Sequence, residues 1–326
     1  MMGDKPKVAF YWCASCGGCE EAVVDLNETI LEVVDAVDIV LWPVAMDFKK
    51  EDVEAMPDQS IAVAFINGAV RMSEQQEWVH LLRRKAQMVV AFGSCAHLGG
   101  IPGLANMNTR DEVFDTCYRD VQSVDNQAAT RPQTICVIDG HTLTLPEFFD
   151  TVKSLNQVID VDYYLPGCAP PADLIWAAIQ AILAGALPPK GAVLSPNKAA
   201  CDVCPRKDSK PEKLEITEIR RVATHIADAD TCFLAQGFVC MGPATRSGCG
   251  SRCVEGNMPC RGCFGPMDDV YDQGAKFLSA FASVLAPKDE AGIDRLLDQV
   301  PDPAGTFYRF SLPTSLLRRR RVGVPV

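Results

Sequence analysis

The sequence predicts an α/β protein: a flavodoxin-like, doubly wound parallel sheet followed by a smaller, mostly irregular and helical domain. Three observations carry this. Short apolar runs alternate with helix-length stretches over about the first 185 residues, the pattern of successive βαβ units. A Gly- and Pro-dense segment, Ala184–Asn197 (AGALPPKGAVLSPN), ends that pattern. Beyond it, Ala199–Pro266 holds eight of the fifteen cysteines and few strand-like runs. The expected domains are 1–190 and 191–326.

Val8–Trp12, Asp38–Val44, Ile61–Ile66, Met88–Phe92, Thr134–Ile138 and Val161–Leu165 are apolar, β-branched or aromatic, and each leads into Gly, Pro, Ser, Asn, Asp or Cys. They read as buried strands. Cys19–Val33, Glu74–Lys85 and Pro146–Leu155 space their apolar residues three and four apart and read as helices. In the second domain Met267–Leu285 and Glu290–Val300 read as helices too, and a core so poor in strands is expected to fold on bound metal. Four consecutive arginines, Arg318–Arg321, leave two readings open, a solvated tail or a docking arm for an acidic partner subunit.

Composition excludes several function classes. With 48% hydrophobic and 22% charged residues the chain is ordinary globular protein, neither disordered nor fibrous. A formal net charge of −11 repels phosphate backbones, so nucleic acid is not an expected partner. The run MMGDKPKVAFYWCASCGGCEEAVV breaks up any signal-peptide core and no twin-Arg pair precedes it, which predicts a cytoplasmic protein. Leu174–Leu187, the longest apolar stretch, is too short to span a bilayer. Neither GxGxxG nor GxxxxGK[ST] follows the first strand.

Cysteines occupy that loop instead. Trp12 is followed by Cys13-Ala-Ser-Cys16-Gly-Gly-Cys19-Glu20, Phe92 by Gly93-Ser94-Cys95, and Leu165 by Pro166-Gly167-Cys168-Ala169-Pro170-Pro171. Loops at the carboxyl ends of a doubly wound sheet converge on one crevice, where four thiolates suffice for a [4Fe–4S] cluster. Cys16-x2-Cys19 alone also suits a zinc site or a redox dithiol. The second domain adds Cys201-x2-Cys204, Cys232-x7-Cys240, Cys249-x3-Cys253 and Cys260-x2-Cys263, two sets of four that fit two clusters or two Cys₄ zinc sites. Cys13, Cys117 and Cys136 remain as packed or surface thiols.

Together Cys16-x2-Cys19-Glu20, Gly93-Ser94-Cys95 with Gly99-Gly100-Ile101-Pro102-Gly103, Leu165-Pro166-Gly167-Cys168, CMGPATRSGCGSRC and PCRGCFGP resemble the small subunit of [NiFe] hydrogenases over roughly Val8 to Leu285. Within that family they are most similar to the cytosolic F420-non-reducing, methyl-viologen-reducing type that works with heterodisulfide reductase. The resemblance implies a proximal [4Fe–4S] cluster on Cys16, Cys19, Cys95 and Cys168. It implies a distal cluster on Cys201, Cys204, Cys232 and Cys240, and a medial one on Cys249, Cys253, Cys260 and Cys263. Cys240 and Cys253 are placed by spacing and could exchange roles with a neighbour. Membrane-associated members have a histidine where Cys201 stands and a proline where Cys253 stands, so this chain is expected to carry three [4Fe–4S] clusters. No catalytic residue is expected in the chain itself, because the nickel chemistry belongs to a separate large subunit. The implied partners are that large subunit and an iron–sulfur adaptor with heterodisulfide reductase, or another flavin or iron–sulfur acceptor. A sulfhydrogenase or NAD(P)-reducing small subunit, or a zinc-stabilised interaction module without redox activity, would read similarly.

Two residues beside the thiols have simpler expectations. Glu20 is expected to favour the positive end of a helix dipole, with a proton relay as the lesser reading. His97 reads as a structural side chain and not as a ligand. His80, His141 and His225 suggest no triad.

Overall fold

The computed structural model of the chain describes residues 5–320. Nine strands occur along it: β1 (Lys7–Trp12), β2 (Asp38–Leu41), β3 (Ile61–Asn67), β4 (Val70–Met72), β5 (Ala86–Phe92), β6 (Ile135–Ile138), β7 (His141–Thr144), β8 (Phe148–Lys153) and β9 (Tyr163–Leu165). β2, β1, β3, β5 and β9 lie in that order in one parallel sheet, which counted along the chain is the flavodoxin-like order 2-1-3-4-5.

Alternation along each strand explains why helices cover both faces. Val8 and Phe10 pack with Val63, Phe65, Val90 and Phe92 beneath the helix Ala172–Leu183. Ala9 and Tyr11 turn the other way, into a core with Ala64, Ile66, Val89 and Ala91 that the helix Ser73–Lys85 closes with Trp78, Val79 and Leu82. Strands buried on both sides read as continuous apolar runs, which is why these were visible in sequence.

Trp12 pairs with Asn67, Asn67 with Phe92, and Phe92 with Leu165. Four strands therefore end at one level, and the three cysteine loops leave from adjacent positions. Asp162, just before β9, secures the opposite end: its carboxylate accepts from Arg83 Nη1 at 2.7 Å, Lys190 Nζ at 2.6 Å and the Val89 N–H at 2.8 Å. Burial pushes this carboxyl up, but the bonds from Lys190, Arg83 and Val89 outweigh it and hold the pKa below the usual carboxylate range. A depressed folded pKa means that this stabilisation is present above the unfolded value and is lost as pH falls through the folded one. Asp162→Asn should therefore cost about 2 kcal/mol in urea unfolding at pH 7 and markedly less near pH 3. A cost that did not shrink with acid would remove the carboxylate from the account.

Three expectations need correction. Pro146–Leu155 is not a helix: Phe148–Lys153 is β8, pairing antiparallel with β4. Apolar residues at 148, 149, 152 and 155 satisfy helical spacing, yet β4 offers this segment a ladder. Thr134–Ile138 is not a buried strand either, because β6 and β7 form a separate hairpin in which Ile135 and Val137 are about two-thirds exposed. Asp139 and Gly140, both at positive φ, form its turn, as an Asp-Gly pair favours. Cys19–Val33 is interrupted, with helices at Gly18–Val24 and Ile30–Ala36 flanking a one-turn 3₁₀ segment.

The C-terminal half has its own aromatic core, in which Phe277, Phe281 and Phe307 lie with ring centroids 5.5–6.3 Å apart, beside Phe233, Phe238 and Leu296. The expected helices are present as Gln273–Ser283 and Glu290–Leu297. The arginine run behaves unlike a solvated tail over its described part. Arg319 bonds Asp150 and Thr151, Arg320 bonds Glu112, and Asn106 accepts from the Arg320 N–H while donating to the Arg318 carbonyl. The Arg319 and Arg320 guanidiniums are thus engaged by the chain's own carboxylates, while Arg318 is exposed. Arg321 lies outside the described residues.

Candidate metal centres

The thiols of Cys16, Cys19, Cys95 and Cys168 converge where the strands end. Hydrogen bonds hold these loops: the Ser94 N–H donates to the Gly167 carbonyl at 2.7 Å, joining two of them, and the Ala14 and Ala69 backbones exchange bonds at 2.9 Å, tying the first to the turn between β3 and β4. Burial raises the Cys19 thiol pKa, and its Cys95, Cys168 and Cys16 neighbours add to the rise. Burial, with Cys168 and Cys16, pushes Cys95 up to about 12. Cys19 has Cys95 and Cys168 beside it as well as Cys16, so these thiols form a group of four and not an isolated Cys16–Cys19 pair. Thiols that oppose one another's ionisation are suited to a multivalent cationic group that neutralises them together.

The remaining eight thiols sort themselves by neighbour. Cys201 has the thiols of Cys240, Cys232 and Cys204 around it, with Lys210, and Cys253 has that of Cys249, with Arg261. Burial pushes Cys240 up to about 11 and Cys260 up to about 12. Two thiols connect the groups: Cys263 has Cys168 as well as Cys260, Cys253 and Cys249 around it, and Cys260 has Cys240. Eight cysteines, Cys168, Cys201, Cys204, Cys240, Cys249, Cys253, Cys260 and Cys263, line one cavity of about 300 Å³. Among the described residues no three His, Cys, Asp or Glu side chains approach closely enough to hold a single metal ion.

Glycines keep space beside these sulfurs. A Cβ on Gly93 would lie 2.4 Å from Cys19 Sγ, one on Gly100 2.4 Å from Cys95 Sγ, and one on Gly242 3.0 Å from Cys201 Sγ. An all-thiol donor set with side-chain-free approaches fits iron–sulfur clusters.

Sequence reasoning missed the residues that hold the thiol loops together. Arg206 is buried, stacks 4.2 Å from the Phe233 ring, and donates to the carbonyls of Asp228, Thr231 and Val254 and to Asn257 Oδ1. It thereby links the segments carrying Cys204, Cys232 and Cys253. Arg246, 1% exposed, donates to the carbonyls of Ser195 and Pro266 and pairs with Asp268. Ser94 Oγ donates to the Cys263 carbonyl at 2.5 Å, joining the first thiol group to the second.

Glu20 lies in the first turn of a helix, as expected, but does not cap it and has further partners. The helix Gly18–Val24 has no side-chain cap, and Glu20 is buried, taking hydrogen bonds from Trp42 Nε1 and Asn67 Nδ2. Burial raises its pKa and those two donors pull it part of the way back. His97 packs on Tyr164 with ring centroids 4.7 Å apart, and burial, reinforced by Arg246, lowers its pKa to about 3. It is a half-buried side chain packed on Tyr164, an environment that favours the neutral imidazole. Cys13 is buried, Cys136 half-buried in the hairpin and Cys117 exposed, all apart from the thiol groups.

The fold and this thiol array define an iron–sulfur subunit of an oxidoreductase. Residues 16–182 match the family described as NADH ubiquinone oxidoreductase, 20 Kd subunit. The iron-sulfur subunit of the F420-non-reducing hydrogenase of Archaeoglobus profundus is 41% identical over 96% of this chain and 98% of its own. Its counterpart in the F420-non-reducing hydrogenase of Methanothermobacter thermautotrophicus is 36% identical over 97% of both chains. A solved [NiFeSe] hydrogenase chain from Desulfovibrio vulgaris Hildenborough shares the fold, with a TM-score of 0.52 and 18% identity over 82% of this chain and 96% of that one. The chain belongs to the family of small subunits of F420-non-reducing hydrogenases. It is thus an oxidoreductase subunit with iron–sulfur cofactors, and the catalytic nickel–iron centre is on a separate large subunit. Among the described residues no helix is long and apolar enough to cross a membrane.

Proposed function

We propose that this chain is the electron-transfer subunit of a cytoplasmic [NiFe] hydrogenase, H2 ⇌ 2 H⁺ + 2 e⁻, with three [4Fe–4S] clusters. In this reading Cys16, Cys19, Cys95 and Cys168 hold the proximal cluster in a domain of residues 1–190. Cys249, Cys253, Cys260 and Cys263 hold the medial one, and Cys201, Cys204, Cys232 and Cys240 the distal one, in residues 191–326. Bound clusters supply one-electron sites spaced closely enough for tunnelling, whose rate falls exponentially with distance. The protein's part is to fix that spacing through Ser94, Arg206 and Arg246, and to keep water from the buried thiolates. The electrons leave for an iron–sulfur adaptor and heterodisulfide reductase, or for another flavin or iron–sulfur acceptor.

The single observation that supports this most is the chain of thiol neighbours, Cys168 beside Cys263 and Cys260 beside Cys240. It joins three groups of four into one line that starts at the exposed Cys16 and Cys168. Anaerobically purified protein should contain about twelve iron and twelve acid-labile sulfide per chain, four of each for each Cys₄ group. About two zinc without sulfide would replace this reading with a structural metal protein.

A further inference from the structure

Cys240, Cys253 and Cys260 share one neighbour that is not a thiol. Arg261 is half-buried, and the charges around it are Arg309 and the thiols of those three cysteines. Arg261 and Arg309 both line the thiol cavity, and both also line a smaller cavity of about 220 Å³ adjoining it. Among the described residues neither guanidinium is in an ion pair, whereas Arg246 and Arg252, which line or flank the same cavity, pair with Asp268 and Asp173. Arg309 Nε donates to the Gly305 carbonyl at 2.9 Å, which fixes the group without supplying a counter-charge. Burial and the proximity of Arg309 both work against the charge on Arg261, and a guanidinium nevertheless stays protonated in proteins. Two adjacent, half-desolvated cations are costly unless anions face them; Asp302 lines the smaller cavity with them, and the thiolates are the anions that face them across the larger one.

On the three-cluster reading above, we propose that Arg261, backed by Arg309, raises the reduction potential of the medial cluster and, through Cys240, that of the distal one. Reduction adds one electron, [4Fe–4S]²⁺ + e⁻ → [4Fe–4S]⁺, with no bond made and no proton moved. The electron comes from H2 oxidised at the large subunit, or from dithionite in a titration. The site becomes one charge more negative, and a fixed cation beside it favours that product. The fourth medial thiolate, Cys253, acts in the opposite direction, so the arginine pair offsets what Cys253 lowers. Arg261 is a positioning residue for charge and touches no substrate.

The test is an EPR-monitored redox titration of the intact complex of large and small subunits. Arg261→Gln should move a C-terminal couple to lower potential by at least a tenfold change in its redox equilibrium, ~59 mV for one electron. Arg261→Lys should restore most of that shift, Arg309→Gln should give a smaller one in the same direction, and the proximal signal should stay in place. Unchanged couples in an Arg261→Gln complex of full iron content would overturn the proposal. If that variant fails to assemble, Arg309→Gln decides, since it lies outside every thiol-bearing segment. Wild-type complex without C-terminal iron and sulfide would instead sink the three-cluster reading, a different result from full iron with unmoved potentials.

Discussion

Cys16→Ala should reduce hydrogen-dependent dye reduction to background while the fold survives. Cys16 is exposed, so its side chain contributes little packing of its own, and any loss of stability beyond about 0.5 kcal/mol would report the lost cluster and not a cavity. Cys19 and Cys95 are poorer probes, because both are buried and their removal would also leave cavities. Iron should fall by about a third, since the eight C-terminal thiols keep their own neighbours and their own aromatic core. Electrons released at the large subunit would then meet a gap where the thiol line begins. Wild-type dye reduction by a variant of normal unfolding midpoint would remove Cys16 from the proximal set. Loss of all iron would mean that the two halves do not load independently.

What the sequence disclosed follows from how each feature is specified. β1, β3 and β5 are central and apolar on both faces, and β9 at the sheet's edge is also largely buried, so composition alone marks them. The segment 146–155 is apolar on one side only, and whether it coils or pairs is decided by β4, some eighty residues earlier. The hairpin β6–β7 has strand composition without burial, because burial depends on neighbours that a sequence does not name. The thiols were legible for a different reason: C-x2-C spacing and Gly or Pro framing are local. Arg206 was not, since an arginine becomes structural only when carbonyls from Asp228, Thr231 and Val254 surround it. Glu20 shows the same limit from the other side. Its place after Cys19 indicated the first turn of a helix, where it stands, but not Trp42 and Asn67, which the ends of β2 and β3 bring to its carboxylate.

Gly93→Ala should be nearly as damaging as loss of a ligand, and its cost divides into two separable parts. Gly93 has φ +84°, which costs an L-residue about 1–2 kcal/mol. Its added Cβ would also lie 2.4 Å from Cys19 Sγ and 3.4 Å from the Gly167 carbonyl, where neither neighbour is a flexible tip. Overpacking of this kind adds about 1–3 kcal/mol, so the variant should lose about 2–5 kcal/mol in denaturant unfolding. Gly140→Ala isolates the first part: φ is +79° there, but nothing lies within 4 Å of the added Cβ. That control should lose about 1 kcal/mol, keep its iron and keep dye reduction. Gly93→Ala should lose the proximal iron and the activity with it, because Cys19 must turn away from Cys16, Cys95 and Cys168 to admit the methyl group. If the two variants behave alike, backbone strain accounts for both, and the approach of Gly93 to Cys19 is not what holds the first thiol group in shape.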